Sequence, residues 1–309
     1  MFLNCHSWFS FKYGVLKPEA LLEEAAKAGV RTLALTDIHC SAGIPDFVRD
    51  APRYGVRPAA GIEFRQGHRL LYIGIAKSNE GFQRLNELLS AHLLDDKALP
   101  ERAPELEDVF FIYPFSHAPH QLRPNERVGI RPSDLTRLPF SPWVKRQHEL
   151  VALMPVTFRR CERTRVRGCE GERVMEPGTL APSHALSLSP PNPSSPSKKD
   201  FNTHRLLRTV AKNTVVSMLP AEELARSDEM FRNEEEVCRL YRDFPQLLTN
   251  AERLLEQCTI AFDGSDKTRV AFTNDVRADR EKLHRDTREG LRYRYPEVTP
   301  KVLARMHHE

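Results

Sequence analysis

The sequence predicts an α/β fold for the N-terminal half of the chain, followed by a mostly helical region. Short apolar stretches typical of buried strands alternate with amphipathic helical stretches through residues 1–158. This alternation favours parallel strands joined by helical crossovers. Beyond residue 200 the apolar residues recur at helical spacing. An α/β barrel and a doubly wound sheet both satisfy the first half, and both place active groups at the C-terminal ends of strands.

Composition is ordinary for a soluble globular protein. The 309 residues are 40% hydrophobic and 28% charged, and 46 basic against 42 acidic residues give a net charge of only +4. This balance allows a nucleic-acid partner without demanding one. We find no window with the roughly 18 apolar residues of a membrane helix and no secretion signal, so we expect a cytoplasmic protein with no membrane partner. Six cysteines without a CxxC pair indicate reduced thiols.

The first elements have clear start and stop signals. "FLNCHSWFS" begins as a short buried strand, and "KPEALLEEAAKA" follows as a helix. Pro18 suits its first turn, Glu19 its N-terminal dipole and Gly29 its stop. "VRTLALTD" reads as the next strand, and "IPDFVRDAPRYG" reads as a helix closed by Gly55.

The rest of the first half continues the alternation. "VRPAAGIEF" and "RLLYIGIAK" read as strands, "NEGFQRLNELLSAHLL" as a helix and "DVFFIYPF" as a shorter strand. A stretch rich in Pro and Arg, 117–142, separates these from "HELVALMPVTF", which reads as the last strand. We therefore place the α/β domain at residues 1–158.

Residues 159–199 differ in character. They lack an apolar period, and "LAPSHALSLSPPNPSSPSKK" is rich in Pro and Ser. Such a segment cannot bury enough apolar surface to offset its chain entropy, which predicts a disordered insertion or linker. A metal clip formed by Cys161 and Cys169 is the alternative.

Residues 200–309 read as a helical region with long charged faces. "DFNTHRLLRTVAKNTVVSML" is amphipathic, and "NEEEVCRLYRDFPQLLTNAERLLEQC" holds two helices that Pro245 separates. "REKLHRDTREGLRYRYP" and "PKVLARMHHE" supply further helical pieces.

Four short stretches with metal-ligating side chains could share one site: "NCH", "LTDIH", "GIEF" and "FSHAPH". The first three lie at or just beyond predicted strand ends. Histidine, aspartate and glutamate that converge there could hold Zn²⁺, Mn²⁺ or Mg²⁺ and support phosphoester hydrolysis. The candidate ligands are His6, Asp37, His39 and Glu63. Structural roles remain open for each: His6 as a core histidine, Asp37 as a capping residue and Glu63 as an ion-pair partner.

The ordered series of a histidine-containing first strand, "KPEALLEEAAKAGVRTLALTD", "GIEF" and "YIGIAKSNEGFQRLNELLS" resembles the polymerase and histidinol phosphatase (PHP) domain. More narrowly, it resembles the form of that domain that opens the alpha subunit of bacterial DNA polymerase III. "HRLLRTVAKNTVVSML" and "EGLRYRYP" are similar to the segment that leads into the palm of those enzymes. The resemblance implies a barrel-like, distorted TIM-type fold for the first domain.

The chain departs from the family pattern at several ligand positions. Asn4 stands where the family's His-x-His motif begins, Ile38 stands where a histidine should follow Thr-Asp, and "LMPVTFRR" offers neither acid nor imidazole. His6, Asp37 and Glu63 still fit the pattern, whereas His39 comes one residue late and needs a loop distortion to join them, and His117 has no clear place in the pattern. We expect a vestigial site with no tightly bound metal, although a residual Zn²⁺ or Mn²⁺ is allowed.

The resemblance implies the N-terminal part of a replicative DNA-directed DNA polymerase, with Mg²⁺ as the parent enzyme's cofactor. The implied partners are the palm, other replisome subunits and DNA through the parent enzyme. No Asp-x-Asp pair occurs in the chain, so we expect no polymerase activity from it alone and a structural role for the first domain. The alternatives are an active metal-dependent phosphoesterase or 3′–5′ exonuclease of the PHP type, and a binding module unrelated to replication.

Overall fold

An eight-stranded sheet forms the centre of the first of two structural units, Met1–Phe262. The computed structural model describes residues 1–94, 98–161, 195–262, 272–273, 275–295 and 297–308. The strands are β1 (Phe2–Cys5), β2 (Thr32–Leu35), β3 (Arg57–Gln66), β4 (Arg69–Ala76), β5 (Val109–Pro114), β6 (Glu126–Ile130), β7 (Leu150–Ala152) and β8 (Pro155–Val156).

The sheet is mixed. Its strand order is β7-β6-β5-β4-β3-β2-β1-β8, and β4 runs antiparallel to both of its neighbours while the other pairs are parallel. The prediction of parallel strands throughout is therefore wrong at β4. Only Gly67 and His68 separate β3 from β4, which leaves room for a hairpin turn and not for a helical crossover. Gly67 has a φ of 62°, as such turns require.

The sheet curls until its two edges nearly meet. β7 and β8 lie at opposite ends of the strand order, yet β7 ends at Ala152 and β8 begins at Pro155. Three Cα–Cα steps span about 11 Å at most, so the two edges lie within that distance of each other. The sheet of this unit is thus barrel-like, which confirms the predicted α/β class and its barrel form.

The last predicted strand, 148–158, is wrong as a single element because it is divided between the two edges. The Leu153 amide still donates to the Ile130 carbonyl, which continues the β6 pairing. Pro155 then opens β8 and pairs beside β1. Proline has no N–H for a ladder, so the first position of a strand suits it. The sequence analysis also missed β6, which lies within the stretch rich in Pro and Arg.

Helices surround the sheet. The helices of the first unit are α1 (Pro18–Lys27), α2 (Ile44–Asp50), α3 (Asn79–Leu94), α4 (Lys198–Lys212), α5 (Glu234–Leu240) and α6 (Gln246–Glu256). Pro245 separates α5 from α6 as predicted. Asn233 and Glu236 form a capping box at the start of α5.

Two large apolar clusters hold this unit together, beside a small third one of Tyr13, Phe158 and Ala225. The larger one includes side chains of α1, α2 and α3, and it packs on one face of the strands. The other contains one or two residues from most strands and four residues on or just after α6. Its buried members are Leu3, Ala34, Ala59, Ile73, Ile75, Phe110, Ile112, Val151, Leu153, Ala251, Leu254, Leu255 and Cys258. Because these strand residues alternate with those of the larger cluster, they line the inside of the barrel.

Helices α4, α5 and α6, which follow the barrel strands, belong to the same unit as the strands. Buried Tyr241, at the end of α5, donates from its hydroxyl to the Ile130 carbonyl on β6 at 2.7 Å. Buried His204, on α4, donates from Nδ1 to the Tyr13 carbonyl and accepts from the Ala225 amide. Burial lowers the pKa of His204 to about 4, so the neutral ring that this pattern needs is the stable form.

Most of the predicted insertion, 162–194, lies outside the described residues, and Cys169 with it. The described ends of the segment pair with each other. Arg160 and Pro196 form an antiparallel bridge, and the Cys161 amide donates to the Ser195 carbonyl. The chain therefore leaves the barrel and returns to it at one place. The domain boundaries at 158 and 200 stay predictions.

The second unit, Asp263–Glu309, contains α7 (Val276–Arg294) and α8 (Pro300–His308) among its described residues. Asp275 caps α7 by accepting from the Arg277 amide at 2.9 Å. No residue of α7 is buried. None of the helices in the described parts of the chain is long and apolar enough to cross a membrane.

We predict that Tyr241→Phe lowers the free energy of unfolding by about 1 kcal/mol, because it removes one buried hydrogen bond and keeps the ring. Urea unfolding followed by circular dichroism measures this change. Tyr54→Phe is the matched control, since the Tyr54 hydroxyl bonds Glu19 at an exposed position. An equal effect of the two substitutions would contradict packing of α5 against β6 in solution.

Candidate functional site at the barrel mouth

Four adjacent parallel strands end at one rim of the barrel, called here the barrel mouth. β1 runs into His6, β2 into Thr36 and Asp37, and β8 into Thr157, while Glu63 lies on β3. The pairing order β8-β1-β2-β3 brings these positions together. The polar side chains of the mouth are at most 1% exposed: Asn4, His6, Ser7, Ser10, Thr36, Asp37, Glu63 and Thr157.

Glu63 is the centre of this cluster. Its Oε2 accepts from Asn4 Nδ2 at 2.7 Å and contacts His6 Nε2 at 3.0 Å, and its Oε1 accepts from Arg65 Nε. Burial raises the pKa of the Glu63 carboxyl, but the Arg65 charge and the His6 and Asn4 contacts outweigh burial and hold that pKa well below its usual range. Glu63 is therefore an ionised carboxylate with both oxygens occupied.

Arg65 provides the compensating charge. Its guanidinium carbon lies 4.5 Å from the centre of the Tyr13 ring, and its Nη2 lies 3.4 Å from the Tyr13 hydroxyl. The charge of Glu63 raises the pKa of Arg65 above its usual range despite burial, and burial raises the pKa of Tyr13 to about 12. Arg65 was not among the predicted site residues. A signal was present in "GIEFR", because positions two apart on a strand share a face.

A hydrogen-bonded chain leads from His6 to the helical segment. His6 Nδ1 lies 2.9 Å from Thr157 Oγ, which donates to Glu229 Oε2 at 2.8 Å, and Arg131 Nη1 donates to Glu229 Oε1 at 3.3 Å. A hydroxyl has one proton, so when Glu229 is ionised Thr157 accepts from Nδ1. No motif pointed to Glu229, which is about 70 residues from β8 in sequence.

Asp37 ties the loop after β1 to the end of β2. Its Oδ1 accepts from the Ser7 amide and the Ser10 hydroxyl, each at 2.6 Å, and its Oδ2 accepts from the Ser7 hydroxyl at 2.6 Å. Burial raises the pKa of Asp37, and the hydrogen bonds from the two serines oppose that rise. The carboxylate thus has a structural partner at each oxygen.

His39 lies beside the cluster with its ring nitrogen already engaged. Its φ is 49°, in the left-handed region. Its Nε2 accepts from the Arg65 amide at 2.8 Å, and its ring lies 5.4 Å from that of His92. Burial, followed by the neighbouring His92, lowers the pKa of His39.

The other candidate histidines have partners elsewhere. His117 contacts the Leu70 carbonyl and the Ser116 hydroxyl. His68 lies 3.7 Å from Glu223. Neither has a polar contact with Asn4, His6, Asp37 or Glu63 among the described hydrogen bonds and ion pairs.

The residues present do not fit a divalent ion. Among the described residues, no group of three His, Cys, Asp or Glu side chains is arranged to hold one. Glu63 could bind an ion through Oε1 only by releasing Arg65. Breaking a buried ion pair costs about 3–5 kcal/mol, which weakens affinity by roughly two to four orders of magnitude. The donors Asn4 Nδ2 and Arg65 would also face the ion with N–H groups rather than lone pairs.

Comparison with known proteins identifies relatives of the chain. Residues 3–112 match the family model of the PHP domain. An error-prone DNA polymerase of Symbiobacterium thermophilum is 25% identical over 99% of this chain and 30% of its own length. DNA polymerase III subunit alpha of Bacillus subtilis is 23% identical over 99% of this chain and 27% of its own length.

A shorter match has higher identity. An error-prone DNA polymerase of Mycolicibacterium paratuberculosis is 36% identical over 29% of this chain and 9% of its own length. A solved amidohydrolase structure from Chromobacterium violaceum matches 29% of the chain and 32% of its own, with 26% identity and a TM-score of 0.25, an overlap too small to inform the fold. The chain thus spans about a third or less of the polymerases that it matches.

We predict that Glu63→Gln lowers the free energy of unfolding by about 3–5 kcal/mol at pH 7, because the amide keeps the shape but leaves the Arg65 charge uncompensated. The folded-state pKa of Glu63 lies below the ordinary 4.5. Its ionic contribution is therefore present above about pH 4.5 and is lost as the pH falls below that value. The difference in the free energy of unfolding between the wild type and Glu63→Gln should decrease as the pH is lowered from 5 to 3.

Urea unfolding at each pH measures both quantities. Glu101→Gln is the control, since Glu101 pairs with Arg69 at a position 73% exposed, and should cost at most about 1 kcal/mol. A Glu63→Gln variant as stable as the wild type at pH 7 would contradict the proposed charge pairing.

Proposed function

Residues 3–112 are a PHP domain in a chain related along nearly its whole length to bacterial DNA polymerases, and we propose that this chain is part of a DNA-directed DNA polymerase of the polymerase III alpha or error-prone type. The parent enzyme carries out template-directed DNA synthesis in replication and uses Mg²⁺ for nucleotidyl transfer. This part of the polymerase acts as a structural platform, with the barrel mouth serving as a packed core.

One observation carries the parentage. Two of the polymerase relatives match 99% of this chain, including the helices after the barrel, rather than the PHP domain alone. A free-standing phosphoesterase with a PHP domain would have no need to share that helical region. The extent of the match favours the polymerase over the binding module and the phosphoesterase.

The platform role is supported by the packing and by the exposed surface. The barrel mouth has its carboxylates paired internally, as described above. On and just after α4, four large apolar side chains are 57–73% exposed: Leu206, Val210, Val215 and Met218. Exposed apolar patches mark surfaces that a partner covers. We assign this patch to contact with the polymerase palm, and other replisome subunits and DNA join through the parent enzyme.

We predict that the genomic reading frame beyond the Glu309 codon, in any phase, encodes an Asp-x-Asp pair and a further aspartate in a palm-like sequence. These carboxylates would hold the two ions of nucleotidyl transfer. Sequencing the locus tests this directly. Unrelated sequence there would overturn the parentage and leave the binding-module alternative.

We also predict that the purified chain releases neither phosphate from p-nitrophenyl phosphate nor nucleotides from a 3′-labelled single strand above background, with Mn²⁺ or Zn²⁺ present. Glu63→Gln is the comparison, and both proteins should give the same background rate. A metal-dependent rate in the wild type that this substitution abolishes would support the PHP-type phosphoesterase or exonuclease instead.

A further inference from the structure

We propose that the Arg65 guanidinium is the resident cation of the barrel mouth and takes the place, beside Glu63, that a divalent ion would occupy in a metal-binding PHP domain. The chain has thus exchanged an external ion for an internal one. Both this inference and the platform role assume a barrel mouth without an ion, and the experiment below separates them.

The surroundings of Arg65 are those of a bound ion. Its side chain is only 12% exposed, and the carboxylate that it meets is completely buried. By comparison, the Arg69–Glu101 pair lies at the surface, with side chains 41% and 73% exposed. A buried carboxylate needs a nearby positive charge, whereas a surface carboxylate is stabilised by water.

The pocket around the guanidinium is specific for a planar cation. The Tyr13 ring covers it at 4.5 Å, and Tyr13 is itself fixed by a T-shaped contact with His6 at 5.4 Å and one with His204 at 4.7 Å. A planar, weakly hydrated guanidinium stacks on an aromatic ring and still offers N–H groups at its edge. Lysine would keep the charge but lose the stacking and the fixed fork.

Asn4 is the second side chain that occupies the Glu63 carboxylate. Asn4 donates to Glu63 Oε2, while its own Oδ1 accepts from the Thr36 hydroxyl at 3.0 Å. A neutral amide at this position satisfies Glu63 without adding a second charge. Asn4 and Arg65 together saturate the carboxylate that an ion would otherwise need.

Removing Arg65 should therefore create a vacant cation site. The variant Arg65→Ala leaves Glu63 ionised, buried and next to a cavity under the Tyr13 ring. Small cations should enter this cavity and stabilise the folded variant in proportion to their occupancy. The wild type offers no such cavity, so the same cations should leave it unchanged.

The experiment is thermal unfolding of the full chain with and without 1 mM Mn²⁺ or 10 mM methylguanidinium. We expect Tm to fall by roughly 10 °C in Arg65→Ala and to recover several degrees with either cation. The wild type and the control Arg53→Ala, at a position 75% exposed, should show no shift with either cation. Arg65→Ala as stable as the wild type, or unaffected by both cations, would overturn the proposal.

Arg65→Lys keeps the test decisive if Arg65→Ala does not fold. We expect the lysine variant to be folded, less stable than the wild type and insensitive to Mn²⁺. A rise in the Tm of Arg65→Lys with Mn²⁺ would contradict the proposal. If Mn²⁺ raised the Tm of the wild type but not that of Glu63→Gln, both this inference and the platform role would be wrong. If Arg65→Ala were as stable as the wild type, this inference alone would be wrong.

Discussion

The carboxylate of Glu63 lies inside a barrel, away from water, and the arrangement of the barrel mouth follows from that position. A buried carboxylate is unstable unless donors and a positive charge surround it. β1 and the residue after it provide Asn4 and His6, and β3 provides Arg65, so the two strands on either side of β2 are fixed around one group. Thr157 and Glu229 then connect the same cluster to the helical segment. The hydrogen bonds of the polar network therefore also hold the strands and the helical segment together.

The sheet order and the identity of the side chains make separate contributions to the barrel mouth. Parallel strand ends bring polar side chains together whatever their identity, because the sheet order decides which positions meet. The identity of the side chains then decides the chemistry. With asparagine at position 4 and arginine at position 65, the cluster is complete in itself. Buried carboxylates that face each other without a positively charged side chain nearby would need a bound cation to compensate their charge.

The sequence allowed much of the fold to be predicted, because local signals determine it. Pro18 and Gly29 mark the ends of α1, and Pro245 separates α5 from α6. The antiparallel turn at Gly67 and the division of residues 148–158 between two sheet edges were not predicted, since strand pairing depends on the closure of the whole barrel. Asn4, His6 and Glu63 were predicted to be neighbours because their stretches lie at or just beyond predicted strand ends. Glu229 could not be placed, because its contact with Thr157 joins distant parts of the chain and has no sequence period.

The bridge between Arg160 and Pro196 has a consequence for the evolution of this chain. The barrel needs only that these two positions stay together, and the free energy of closing a longer excursion rises merely with the logarithm of its length. The entropy of chain closure therefore sets only a weak limit on the length of sequence between the two ends. This point is therefore a place where an additional segment could be inserted without a change in the strands of the barrel.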